Sequence, residues 1–127
     1  MRRLISMLFV IAAVAVSCGK DHGSAPEPFD VVAPPAPFDL AVEPGREQAT
    51  ITWSYQPASR ALVDRFRIYY FFEVYDILEL IASTADTYYV DERLVGNLRY
   101  CYVVSAVDTN GVEGWRTPAV CAIIETR

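Results

Sequence analysis

Three cysteines and one histidine are the residues of this 127-residue chain best suited to nucleophilic, redox or metal chemistry. A thiolate attacks acyl and disulfide groups and binds soft metals, and an imidazole supplies the proton transfer that a catalytic serine or cysteine needs. The single histidine, His22, lies in a stretch rich in proline and glycine. A Ser–His or Cys–His pair and a zinc site both need a histidine held by a folded domain. The sequence therefore predicts no enzyme, no metal and no cofactor.

Cys18 directly follows a short apolar segment near the start of the chain. The run Leu4–Val16 is almost wholly apolar, and Arg2 and Arg3 precede it. This run is too short to span a bilayer of roughly 30 Å, which needs about 20 helical residues. Positive charge followed by a short apolar run is typical of a secretory signal peptide.

The residues Ala15, Val16, Ser17 and Cys18 end this segment and resemble the lipobox of a bacterial lipoprotein. The resemblance implies that residues 1–17 are removed and that the Cys18 thiol accepts a diacylglyceryl group. The family prefers leucine at the position that Ala15 occupies. The alternative is an ordinary cleaved signal that leaves Cys18 as a free thiol.

The lipoprotein resemblance also implies a location. A lipid on Cys18 would hold the protein to a membrane of the bacterial cell envelope. Gly19 follows the cysteine, and in some Gram-negative bacteria a residue other than aspartate at this position favours the outer membrane. We therefore expect an outer-membrane lipoprotein on the periplasmic or the surface side.

Charge excludes one class of partner. Removing Arg2 and Arg3 with the signal leaves nine basic residues against 16 acidic ones, an excess of seven negative charges. Binding to phosphates needs a basic surface, so we expect no nucleic acid as a partner. The same balance argues against a polybasic membrane patch and leaves the lipid as the membrane contact.

The chain after the signal divides into a tether and one domain. Residues 18–35 contain closely spaced prolines and glycines, which keep a linker extended and only partly flexible. A proline-rich ligand for another protein is the alternative to a simple spacer. Residues 36–127 are enough for one domain. The tether residues that carry this prediction are Gly19, Gly23, Ser24, Pro26, Pro28, Pro34 and Pro35.

Apolar and polar residues alternate with a period of two through most of residues 36–127. Ile51 and Trp53 share one face of such a run, and Phe66, Ile68 and Tyr70 share one face of another. This pattern is typical of half-buried strands. Segment 73–82 has some helical character but is assigned to a strand because its neighbours need a pairing partner. The predicted strands are 38–43, 48–54, 64–72, 77–83, 87–91, 99–107 and 118–125.

The order and spacing of these residues resemble a fibronectin type III domain. The resemblance implies an all-β, seven-stranded immunoglobulin-like β-sandwich, with the Tyr100 hydroxyl bonded to the backbone upstream as in a tyrosine corner. The family's turn glycine aligns with Asn97, which also tolerates left-handed geometry. The matching residues are Pro37, Leu40, Ile51 to Trp53, Phe66 to Tyr70, Tyr89 to Asp91, Leu94, Tyr100 and Tyr102 to Asp108.

This resemblance sets the register of the two remaining cysteines. With Cys18 lipidated, Cys101 and Cys121 are left as a pair, which favours a disulfide in an exported protein. Cys101 is expected to face outward on the sixth strand, opposite Cys121 on the antiparallel seventh. Opposed residues have Cα atoms about 4.5–5.5 Å apart, within disulfide range. Two free thiols are the alternative.

Two features of the predicted surface are candidates for binding. The loop Asp108–Arg116 joins the last two strands and contains Asn110, Trp115 and Arg116. Tryptophan and arginine are favoured anchors at interfaces. Trp115 either contacts a partner or folds back to cap the sandwich, and the cap is the arrangement that we expect.

The second candidate is an outward aromatic patch of Tyr69 and Phe71 beside Tyr75. A contiguous exposed patch of this kind marks a partner site. The arrangement that we expect instead is that these rings pack under the neighbouring strand or the tether.

The sequence thus predicts a lipid-anchored, non-catalytic module that makes protein–protein contacts in the cell envelope. The alternative is a carbohydrate-associated accessory domain, because such domains accompany glycan-degrading enzymes and exposed aromatic rings stack on sugars. The many acidic side chains are interpreted as solvated strand and loop residues, and Asp91 is among them.

Overall fold

The structure is a computed structural model that describes residues 32–126. These residues belong to one compact unit, Val31–Arg127. The predicted signal peptide, Cys18 and most of the predicted tether lie outside the described residues. The elements in chain order are β1 (Phe38–Gly45), β2 (Gln48–Ser54), α1 (Pro57–Arg60), β3 (Val63–Phe72), β4 (Ile77–Thr84), β5 (Tyr88–Glu92), β6 (Arg99–Asp108) and β7 (Val120–Ile123).

The strands form two antiparallel sheets. One has the order β1-β2-β5 and the other the order β4-β3-β6-β7. All seven predicted strands are present, and each predicted end lies within two residues of the observed one. The strands predicted from the alternation and the all-β sandwich implied by the family resemblance are therefore confirmed. The sequence analysis missed the single-turn helix α1, which begins at Pro57, a residue whose fixed φ suits the first turn of a helix.

The core lies between the two sheets and is built from the alternating residues identified above. Ile51 and Trp53 of β2 face Phe66 and Ile68 of β3, and all four are buried. The rings of Trp53 and Phe66 meet edge to face, with their centroids 5.4 Å apart. Aromatic pairs in this geometry add to the free energy of burial.

Tyr100 forms the predicted corner at the start of β6. Its hydroxyl accepts a hydrogen bond from the backbone N–H of Val95 at 3.1 Å. Asn97 has a φ of +63°, so asparagine serves at the position where the family has glycine. The neighbouring Gly96 is needed for a different reason, because a Cβ there would lie 2.9 Å from the Cα of Thr126.

We expect Tyr100→Phe to lower the free energy of unfolding by about 1–2 kcal/mol, because it leaves the Val95 N–H without its acceptor. Val95 is exposed, so water can replace part of the lost bond. Urea unfolding of the two proteins measures the difference. Tyr75→Phe, at an exposed ring, is the matched control and should change stability by less than about 0.5 kcal/mol. Equal losses in both variants would contradict the corner.

A carboxylate joins the two sheets inside the sandwich. Asp91 of β5 is 7% exposed, so its interpretation as a solvated residue was wrong. It accepts hydrogen bonds from the hydroxyl of Tyr70 at 2.6 Å and from that of Tyr102 at 2.8 Å. Burial and these bonds to Asp91 raise the pKa of both tyrosines. Because both hydroxyls belong to the other sheet, this cluster ties the sheets together.

Candidate functional site at the β6–β7 connection

Residues 109–119 connect β6 to β7 and remain bonded to β6 for much of their length. The N–H of Gly114 donates to the carbonyl of Ala106 at 2.9 Å, and the N–H of Thr117 donates to the carbonyl of Val104 at 2.9 Å. The Thr117 hydroxyl also accepts from the N–H of Val104 at 3.0 Å. Hydrogen bonds to β6 therefore fix the part of the connection that runs back along this strand.

A tight turn begins this connection. The Asp108 carboxylate accepts from the N–H groups of Asn110 and Val112, each at 2.9 Å. Gly111 has a φ of +83°, a conformation that favours glycine. These bonds place the exposed Asn110 at the turn and fix the direction of the returning segment.

Glu113 anchors the connection to the outer face of the four-stranded sheet. Its carboxylate accepts hydrogen bonds from the hydroxyls of Tyr69 and Ser105. Two guanidinium groups also approach it, that of Arg67 at 3.5 Å and that of Arg116 at 3.6 Å. The Glu113 side chain is only 20% exposed. This single carboxylate thus interacts with donor groups of β3, of β6 and of the connection itself.

The pKa of Glu113 reflects this environment. Burial raises the pKa, but the hydrogen bonds from Tyr69 and Ser105 and the charges of Arg116 and Arg67 lower it more. The pKa of the folded protein therefore lies below the ordinary value. A depressed carboxyl pKa contributes stability above the pKa of the unfolded chain, and that contribution is lost as the pH falls through the folded pKa.

We expect Glu113→Gln to lower the free energy of unfolding by about 1–2 kcal/mol at neutral pH, because charge-assisted hydrogen bonds are lost. The difference should shrink as the pH falls from about 5 towards 3, where the wild-type carboxyl also becomes neutral. Urea unfolding across this pH range measures it. Tyr69→Phe should raise the pKa of Glu113, which carbon NMR of the carboxyl group detects. A constant difference between Glu113→Gln and wild type at every pH would contradict this account.

Arg116 is engaged within the molecule. Its guanidinium lies over the ring of Tyr69, 5.3 Å from the centroid, and beside Glu113. Tyr69 is 8% exposed, so it does not join Phe71 and Tyr75 in an exposed patch. The expected packing of Tyr69 is confirmed, but it lies under the β6–β7 connection and not under a strand or the tether. Tyr75 is exposed, and Phe71 is intermediate.

Trp115 projects from this anchored connection into solvent. Its side chain is 82% exposed. The expectation that Trp115 folds back and caps the sandwich is therefore wrong. The backbone on either side is fixed, because Gly114 bonds to Ala106 and Arg116 packs on Tyr69. An apolar ring is thus held outward by residues that are themselves immobilised.

The segment that enters the domain contacts the same connection. A Cβ on Gly114 would lie 2.0 Å from the carbonyl oxygen of Pro34, so only glycine allows this approach. A cavity of about 300 Å³ opens beside the entering segment. Its wall includes Val32, Tyr55 and Leu62. The candidate site therefore lies at the end of the sandwich where the chain enters.

The predicted disulfide is present. Cys101 of β6 and Cys121 of β7 are directly opposed in register, with an S–S distance of 2.05 Å and Cα atoms 4.0 Å apart. Cys101 lies on the outer face of β6 as expected, opposite to the core residues Tyr102 and Val104, although it is only 6% exposed. In the described part of the chain, the one cysteine and carboxylate cluster with metal-ligand spacing consists of this pair and Glu73. The disulfide removes both thiolates from that set.

The three binding residues predicted from the sequence, Asn110, Trp115 and Arg116, all lie on this one connection. Glu113, which holds that connection in place, was missed. Nothing in the sequence distinguishes it from the other acidic residues, because its donors come from distant strands. Within residues 32–126, no helix has the length and apolar character required to cross a membrane.

Known proteins resemble this chain in structure and not in sequence. No protein-family model matches the sequence, and no curated protein matches it. The fibronectin type III domain of human fibronectin type III domain containing protein 3 is similar in structure, with a TM-score of 0.64 and 14% identity over 75% of this chain and 89% of that domain. The twitchin kinase region from C. elegans is also similar, with a TM-score of 0.64 and 16% identity. The match covers 73% of this chain and 17% of the twitchin chain.

A β-1,2-glucanase from Parabacteroides distasonis also contains a similar domain. The TM-score is 0.62 and the identity 18%, over 75% of this chain, which spans only 13% of the glucanase. At these identities the likeness concerns the fold. The described residues have the fold of a fibronectin type III domain.

Proposed function

We propose that this protein is an exported, lipid-anchored, non-catalytic module of the bacterial cell envelope that binds a partner protein through the β6–β7 connection. The lipobox-like sequence ending at Cys18 supports the anchor. The fold supports a binding or structural role, because a small β-sandwich presents loops from a rigid scaffold.

Trp115 is the observation that carries the binding role. Trp115 is 82% exposed. Exposure of such a large apolar ring to water is unfavourable unless a partner covers it. The residues on both sides are held by Ala106 and Tyr69. Because the backbone is already ordered, binding would cost little conformational entropy. A pre-organised aromatic anchor of this kind is typical of interface hot spots.

Asn110 and Arg116 would contribute polar contacts around this anchor. Arg116 keeps part of its guanidinium exposed while it is held by Glu113, with 46% of its side chain accessible. Asn110 is exposed at the turn. A central aromatic ring with polar groups at its border is the usual anatomy of a protein interface.

Co-purification from detergent extracts tests the proposal. The wild-type protein and the variant Trp115→Ala would be captured after chemical crosslinking in cells, with Tyr75→Ala as the control at another exposed ring. We expect one partner to be recovered with wild type and with Tyr75→Ala, and at least tenfold less with Trp115→Ala. Both variants should unfold at the wild-type urea concentration. Equal recovery with all three proteins would contradict the role of Trp115.

The lipid anchor has its own test. Intact-mass analysis of the membrane-extracted protein should show a chain that begins at Cys18 and carries added acyl mass. The variant Cys18→Ser should remain unprocessed and leave the lipoprotein fraction. An unmodified N-terminus, or a chain that retains residues 1–17, would contradict the anchor. Separation of inner and outer membranes by density would then test the expected outer-membrane location.

Carbohydrate association is the second candidate function. The observation that favours it is the similar domain within a β-1,2-glucanase. A sugar-binding surface needs flat, accessible aromatic rings, and Trp115 offers one. A glycan array that includes β-1,2-glucans, probed with residues 18–127, distinguishes the two candidates. Binding that disappears in Trp115→Ala would support the carbohydrate role over the protein contact.

A further inference from the structure

The free edge of the four-stranded sheet formed by β4 has less protection in its first four residues, 77–80, than free edges commonly have. β4 pairs only with β3, so one row of its backbone groups has no strand partner among the described residues. Its eight residues contain a single charged side chain, Glu79, and neither lysine nor proline. Natural sheet edges are commonly blunted by charges, proline, short length or a covering segment.

The other three edge strands carry such protection. β1 contains Pro44 and an irregularity after Phe38, where Asp39 has a φ of +53°. β5 has five residues and ends at Glu92, and β7 has four residues. β4, with eight residues, is as long as β1 and longer than β5 and β7, and it contains no proline and no cationic side chain.

The regular part of β4 is also apolar and accessible. Residues 77–80 pair in register with β3, and the irregularity follows Leu80. Ile77 is 54% exposed and Leu80 is 50% exposed. A cavity of about 350 Å³ lies alongside, and its wall includes Phe72, Glu79 and Leu98. A strand laid against this edge could bury apolar side chains on Ile77 and Leu80 and place another in the cavity.

Charge decides which strand fits. The described residues contain thirteen acidic residues and seven arginines, an excess of six negative charges. Glu79 is exposed and is the only charge on β4. A second copy would bring an equally acidic domain and a second Glu79 to this edge, and like charges across a strand pair are destabilising. A basic segment would instead complement the negative charge of the domain and the carboxylate of Glu79.

We infer that the β4 edge binds an extended, apolar and basic segment of a partner protein by strand addition. The segment pairs its backbone with residues 77–80, packs aliphatic side chains on Ile77 and Leu80, and places a lysine or arginine beside Glu79. In strand addition the backbone bonds supply affinity and the alternate side chains supply specificity. This surface is separate from the Trp115 connection, and the inference does not depend on the function proposed above.

Nuclear magnetic resonance with a defined peptide tests the inference. The protein is residues 18–127 with its disulfide intact, and the probe is acetyl-Thr-Lys-Val-Lys-Val-Lys-Thr-amide. We expect saturable shifts of the backbone amides of residues 77–80 and none in β1. Replacing the lysines of the peptide by glutamates, or N-methylating its valines, should weaken binding at least tenfold. The methylated peptide keeps the side chains and loses backbone donors, so it isolates strand pairing.

Variants of the chain complete the test. Leu80→Lys and Glu79→Lys should each weaken binding of the basic peptide at least tenfold, whereas Ala41→Lys on the β1 edge should change it less than twofold. Glu79→Lys should also bind the glutamate peptide better than wild type does, a gain that a merely misfolded variant cannot show. Absence of shifts, or shifts confined to another edge, would overturn the inference. So would sedimentation showing a dimer of the chain alone that Leu80→Lys dissociates, because the edge would then belong to a second copy.

Discussion

Replacing Trp53 with alanine should lower the free energy of unfolding by about 3–5 kcal/mol, close to the whole stability of a domain of this size. The ring is 5% exposed and packs edge to face against Phe66, which also contacts Tyr55. Alanine would leave a cavity between the sheets that neighbouring side chains could fill only in part. Urea unfolding followed by circular dichroism measures the loss.

Two variants make this prediction specific. Trp53→Phe keeps an aromatic ring and should cost less than alanine, because the indole N–H of Trp53 makes no hydrogen bond in the described structure. Trp115→Ala removes the same side chain from an exposed site and should change stability by less than about 0.5 kcal/mol. If Trp53→Ala unfolded at the same urea concentration as the wild-type protein, the assigned strand register would be wrong.

Replacing Asp91 with alanine should cost about 3–5 kcal/mol, because two buried hydroxyls lose a charged acceptor and each such bond contributes about 1.5–3 kcal/mol. The donors are Tyr70 and Tyr102 of the other sheet. Exposed Asp86 provides the matched control, and Asp86→Ala should have an effect below about 0.5 kcal/mol. Urea unfolding at neutral pH compares the two.

The cause of the Asp91 effect can be separated from simple loss of volume. In the Asp91→Ala background, the further changes Tyr70→Phe and Tyr102→Phe remove the hydroxyls that have lost their acceptor. These changes should restore part of the lost stability, whereas the same changes alone should destabilise the wild-type protein. If the tyrosine changes cost the same in both backgrounds, the inter-sheet hydrogen bonds do not stabilise the fold.

The sequence predicted the strands well because alternation directly reports which side of a strand is buried. It predicted the bridge between Cys101 and Cys121 because a family register placed them opposite each other. It failed for Asp91, since a carboxylate in a strand looks solvated until the two tyrosines that bind it are known. Long-range hydrogen bonds of this kind leave no local pattern.

At the candidate site, too, the sequence predicted local features and missed those that depend on long-range contacts. Composition alone selected Trp115 and Arg116, because tryptophan and arginine are common interface residues. The expectation that Trp115 caps the sandwich was wrong, because its side chain faces solvent. That depends on Glu113, whose carboxylate binds donors on Tyr69 and Ser105, and on the close approach of Gly114 to Pro34. Each of these contacts joins segments that are far apart along the chain.

The contact between Pro34 and Gly114 also sets a path for mechanical force. A pull on the chain ahead of Val32 reaches the sandwich at Pro34, one contact away from the residue that precedes Trp115. Tension between the entering segment and a partner held at Trp115 would run through this contact and the adjoining pairing with β6. Trp53 and Phe66 belong to the core between the sheets and take no part in this contact.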